Sequence, residues 1–173
     1  IEVTAETKSR KSDTKVQMLK ETQIGPEASE AKRIIDACSN EVIFDSCLKR
    51  TFEELSQKKP FESVLELMRN AQGIDPERVE CHPLAHAISR VYVDANLSHW
   101  KDFLAKAPPD CNFGFYHGSI EAFARHDSNF SLTPSLIRDV CKRIEQKPLE
   151  VSMGSCVHAF GHVELVETKG DVR

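Results

Sequence analysis

The sequence is short of several things, and each shortage removes a class of protein. Among 173 residues there are only 7 Gly and 8 Pro, which excludes collagen-like and Gly/Pro-rich low-complexity chains. No run approaches the roughly 20 apolar residues of a membrane span, and no apolar signal-peptide core is present. There is no CxxC pair, so zinc ribbons and thioredoxin-like redox motifs lose their main signature. GxGxxG, GxSxG and the phosphate-binding GxxxxGK loop are absent, which removes the usual marks of nucleotide binding and α/β-hydrolase chemistry. Positive charge is also lacking. The net charge of -4 excludes a generally basic nucleic-acid binder. Lys8, Arg10, Lys11 and Lys15 are interrupted by Glu6 and Asp13, a solvated linker rather than a nucleic-acid arm.

Aromatic residues are missing from the whole N-terminal segment; the first is Phe44. Ile1 to about Glu27 therefore reads as a flexible polar tail or linker, unable to bury enough apolar area to offset its ordering entropy. A stalk from a removed signal or anchor fits this composition. Residues 28–173 read as one domain, and the natural chain is expected to continue past Arg173.

From Ala28 the apolar residues recur at helical steps: Ala31, Ile34, Ile35 and Cys38, then Phe44, Leu48, Phe52 and Leu55. Further helices are expected from Phe61 to Ala71, from Asp75-Pro76 or His82-Pro83, from Ser98, from Phe115 to Arg125, from Thr133-Pro134, and from Cys156 to Val166. No strand alternation appears. The fold class is all-α: a disulfide-stapled bundle of about six to eight helices.

What is abundant is cysteine and histidine, 6 and 7 respectively. An even cysteine count without CxxC favours disulfides, hence an extracytoplasmic (periplasmic or secreted) protein, tethered or free; buried reduced thiols are the competing account. Asn96-Leu97-Ser98 and Asn129-Phe130-Ser131 match the glycosylation pattern, which matters only in a eukaryotic secreted chain. Six cysteines permit fifteen pairings, and sequence does not choose among them. If residues 38–47 were one straight helix, Cys38 and Cys47 would lie about 13 Å apart, so they can bond only where the helix breaks, near Ser39-Asn40.

Five histidines fall into three motifs: Cys81-His82-Pro-Leu-Ala-His86, Cys111 to His117 and Glu121, and Cys156-Val-His158-Ala-Phe-Gly-His162. Each holds an i,i+4 pair, His82/His86, His117/Glu121 and His158/His162, which places two side chains on one helix face. Such pairs build metal centres in helical proteins. The cysteines point elsewhere: six residues rotate by about 240° on a helix, so Cys111 and Cys156 read as staples at helix entries. Gly118 and Gly161 adjoin motif histidines and would let helices approach closely. Cys111–His117 and Cys156–His162 align without a gap, but no fixed period supports a solenoid.

The candidate metal ligands are thus His82, His86, His117, His158 and His162, holding zinc, copper or iron in one or two ions. His99 and His126, beside polar neighbours, read as surface residues. If the centre is catalytic, an open position would bind water for hydrolytic chemistry, or copper or iron would support redox chemistry on a small-molecule substrate. Glu121 is then the candidate general base, with Glu164 as substitute, and Tyr116 a hydrogen-bond donor. The blander roles are an orienting partner of His117 for Glu121 and core packing for Tyr116. HExxH is absent, as are the Glu-x-x-His spacings of di-iron bundles. Haem is the alternative cofactor, packed by Phe113, Phe115, Tyr116 and Phe160, although CxxCH is absent. The third reading is a disulfide-stapled interaction or sensor domain with structural histidines.

Overall fold

Hydrophobic spacing and proline placement account for most of the chain's helix boundaries. The computed structural model describes residues 25–127, 130, 131, 133–145, 156–158, 160 and 161. Most of the tail, His162, Glu164 and the remainder of the stretch expected to be helical up to Val166 lie outside them. The helices are α1 Pro26–Cys38, α2 Phe44–Ser56, α3 Phe61–Ile74, α4 Cys81–Ala95, α5 Trp100–Lys106, α6 Gly114–His126 and α7 Pro134–Glu145. A 3-10 turn, Leu97–His99, leads into α5. Residues 156–158, 160 and 161 are also helical. Among the described residues there is no strand, so the all-α expectation holds.

Several boundaries shift by one to three residues, and two differences are instructive. α1 opens at Pro26 rather than Ala28, because proline's fixed φ suits a first helical turn. Asp75-Pro76 does not start a helix. Asp75 instead closes a turn, accepting from the Arg78 backbone N–H at 3.3 Å and pairing with the Arg78 guanidinium at 2.7 Å. The helix starts later, at Cys81, with Pro83 tolerated in its first turn. Thr133 caps α7 as its position suggests, its Oγ1 accepting from the Leu136 N–H at 3.2 Å.

α4 is the central element. It packs most extensively on α6, and also against α2, α3 and α5, while α1 lies along α3. Leu48, Phe52, Leu67, Met68, Ile88, Leu104, Phe115 and Ile120 are all essentially inaccessible. Burying each such side chain stabilises by about 1.5–3 kcal/mol. Phe61 sits edge-on to Tyr92, Phe103 and Phe115 at centroid distances of 5.5, 4.8 and 5.5 Å, the geometry that ring quadrupoles favour.

All six cysteines are paired: Cys38–Cys47, Cys81–Cys111 and Cys141–Cys156. The first pair forms because α1 ends at Cys38, and a five-residue turn folds the chain back to a Cα separation of 5.5 Å. On a chain-entropy model each bridge contributes about 2.5–3.5 kcal/mol. No helix among the described residues is long and apolar enough to cross a membrane.

The two tyrosines of the chain offer a test of this packing. Burial pushes the Tyr116 phenol up to about 12, and the Asp110 charge adds to it. Tyr92 also rises to about 12, chiefly by burial, with Ser56 opposing and Glu62 adding. A raised value means the fold holds the neutral phenol. The stabilisation is therefore complete below about pH 10 and lost as pH climbs towards the folded values. Phenolate absorbance should stay low near pH 11 and appear together with loss of helix. Free titration near pH 10 with the helices intact would contradict the buried placement.

Candidate metal centre

The centre is built where α4 and α6 cross. Proximity there comes from small residues at matching four-residue steps, Ala85 and Ser89 on α4 and Gly114 and Gly118 on α6. A Cβ on Gly114 would lie 2.8 Å from the His82 carbonyl oxygen and 2.9 Å from the Ala85 Cβ. On Gly118 it would collide with Ser89 Oγ and come within 2.5 Å of the His86 carbonyl oxygen. Only glycine permits this approach. Gly118 therefore meets its sequence expectation. At Gly161 no described atom lies within 4 Å of the Cβ position. The Ala85/Ser89 step and Gly114 carried the same signal in the sequence and were not part of that expectation.

The crossing brings together His82, His86 and His117. One ring nitrogen from each lies within 4.8 Å of the others. The ring centroids are 4.7, 5.2 and 5.3 Å apart. His82 and His86 occupy the exposed entry of α4 and are partly buried, while His117 is 1% exposed. His158 lies at the margin: its ring is 5.7 Å from that of His117, and the residue is exposed. His99 and His126 are elsewhere, paired at the surface with Asp102 and Asp94.

The outer hydrogen bonds set the orientation of two rings. His82 Nδ1 is 2.7 Å from the Cys111 carbonyl oxygen, and His86 Nδ1 is 3.3 Å from Glu121 Oε2. A carbonyl and a carboxylate only accept, so both Nδ1 atoms carry the proton and donate. Where both rings are neutral, both Nε2 atoms are then bare; they face each other at 3.1 Å.

Glu121 thus hydrogen-bonds the His of the opposite helix, while the charge of His117 on its own helix also acts on it. Burial drives its carboxyl upwards, but the His86 hydrogen bond, with the charges of His86, His117 and Arg125, holds it below the usual value. Tyr116 is fully buried, and its hydroxyl donates to the Ala107 carbonyl at 3.1 Å.

The Cys111 carbonyl is presented by an unusual turn. Cys111, Asn112 and Phe113 have φ values of 58°, 50° and 61°, three successive left-handed residues without a glycine. Such a run costs about 1–2 kcal/mol per residue, least for Asn. It is held at one end by the Cys81–Cys111 bond and at the other by the start of α6. These two cysteines thus sit at helix entries: Cys81 opens α4, and Cys111 precedes α6. Comparisons with family models, curated proteins and solved structures found no match.

Proposed function

We propose that the chain is an extracytoplasmic metal-binding protein, with a transition metal held by the Nε2 atoms of His82 and His86 and by His117. The observation that carries this reading is the approach of the two Nε2 atoms to 3.1 Å, with one nitrogen of each of the three rings within 4.8 Å of the others. Two neutral imidazole lone pairs at that distance repel, and a cation between them removes the repulsion. The separation is close to the about 3.3 Å edge of a tetrahedron with zinc–nitrogen bonds. An ion takes one nitrogen from each of the three rings, whose ligand atoms lie within 4.8 Å of one another. Haem iron takes at most two axial ligands, so a porphyrin leaves one imidazole of the trio unexplained.

Imidazole nitrogens suit zinc, copper and iron, and zinc is the one of these that takes a tetrahedral set without redox chemistry. The carbonyl and carboxylate on the two Nδ1 atoms are the outer partners that ligating histidines use to fix their tautomer. We therefore assign Glu121 to orienting His86 and Tyr116 to the core, rather than to chemistry. Three nitrogens leave a zinc ion a fourth position, where it supplies Lewis acidity to water or a small ligand. Among the described residues, His158, with its ring 5.7 Å from that of His117, is the side chain placed to compete for it. Three disulfides favour the extracytoplasmic side.

Elemental mass spectrometry of untagged protein purified without added metal is expected to find close to one equivalent of zinc or copper. Less than about a tenth of an equivalent of any transition metal, with no uptake on titration, would sink the reading.

A further inference from the structure

We propose that the Cys81–Cys111 disulfide couples metal retention to the thiol redox state, so that reducing this one bond releases the ion. The inference rests on the metal reading of the His trio and adds a control to it. Three observations meet at the bond. Cys81 immediately precedes His82 at the first turn of α4. The carbonyl of Cys111 is the acceptor that holds His82 Nδ1 at 2.7 Å. The left-handed run from Cys111 to Phe113 begins at the bonded cysteine.

The disulfide therefore anchors both the ligand and the group that aims it. Left-handed backbone at Cys111 and Phe113 is unfavourable by itself. Once the bond opens, the turn relaxes, the carbonyl leaves His82, and that imidazole is free to change tautomer and rotate. Losing an outer partner of a ligating histidine weakens metal binding by about 10–100-fold. The α4–α6 crossing survives, because it is set by Gly114 and Gly118 rather than by the bridge. Of the other two bridges, Cys38–Cys47 joins α1 to α2 away from the trio, and Cys141–Cys156 ties α7 to the described helical residues that carry His158.

The reductant is a dithiol. Its two thiols supply two electrons and two protons, Cys81 and Cys111 become thiols, and the dithiol closes to its own disulfide.

The test measures zinc affinity by chelator competition on oxidised protein, on C81A/C111A and on C38A/C47A. Helix content is followed by circular dichroism. The expected result is wild-type affinity in C38A/C47A and a loss of at least about tenfold in C81A/C111A with helix retained. Affinity within about twofold of wild type in C81A/C111A, or an equal loss in both variants, overturns the coupling. If the oxidised wild type takes up no zinc, it is the metal reading that has failed.

Should C81A/C111A lack helix, stepwise reduction of the zinc-loaded wild type by a water-soluble phosphine decides the matter. Peptide mass mapping reports which bridge is open. Zinc release in step with Cys81–Cys111 opening, before helix loss, supports the coupling. Retention after that bridge opens, or release only on unfolding, refutes it.

Discussion

Gly118→Ala is expected to destabilise the protein by about 3 kcal/mol, the upper part of the range for overpacking. The added methyl meets the carbonyl oxygen and Cα of His86 at 2.5 and 2.6 Å. Both are backbone atoms of the central helix and cannot rotate away. The sign is what makes the experiment informative, because Gly→Ala inside a helix normally gains up to about 1 kcal/mol. Gly73→Ala supplies that contrast: nothing lies within 4 Å of its Cβ position in α3, so it should stabilise by about 0.5–1 kcal/mol. For a chain of this length, the Gly118 loss corresponds to a fall of about 6–12 °C in the unfolding midpoint. Zinc affinity should fall as well, since the α4–α6 spacing sets where His117 stands relative to His82 and His86. A G118A protein as stable as wild type would mean that the crossing is looser than described.

The second large effect is the response to metal. With free zinc at about 100 times its dissociation constant, the folded state gains about 2.7 kcal/mol by mass action. The unfolding midpoint should rise by about 5–11 °C. In His117→Ala this gain should disappear. His117 is also a buried core residue, so the variant loses stability without metal too, and each protein must be compared with its own zinc-free form. The quantity to read is the zinc-induced shift, not the midpoint. A shift of undiminished size in H117A would remove His117 from the ligand set while leaving a His82–His86 site possible.

Much of this architecture is legible in the chain. The i,i+4 spacing of His82 and His86 places both rings on one face of α4, and the structure has them there, 3.1 Å apart at Nε2. The straight-helix distance between Cys38 and Cys47 requires a break, and α1 ends at Cys38. What spacing along one helix cannot encode is which side chain of a neighbouring helix a residue meets. Glu121 shows this: four residues from His117, it hydrogen-bonds His86 instead, because the crossing at Gly118 carries it across to α4. The Cys111 carbonyl was invisible for a different reason. A backbone oxygen has no sequence signature, and its position depends on a left-handed turn in residues that rarely adopt one. Asp75-Pro76 was misleading because the pair suits a turn as well as a helix start.

The disulfide pattern has a consequence for how the chain acquires its covalent structure. The bridges join neighbours in order, Cys38 to Cys47, Cys81 to Cys111 and Cys141 to Cys156, and no loop encloses or crosses another. A chain that emerges N-terminus first into an oxidising space therefore meets no pairing choice. Within these 173 residues, when Cys47 appears the one earlier thiol is Cys38; once that pair has closed, Cys111 finds only Cys81, and Cys156 only Cys141. Of the fifteen arrangements that six cysteines allow, this is the one that prompt oxidation during vectorial emergence makes without reshuffling. Refolding of the full-length reduced chain presents all six thiols together, and has to find the same arrangement by slow exchange.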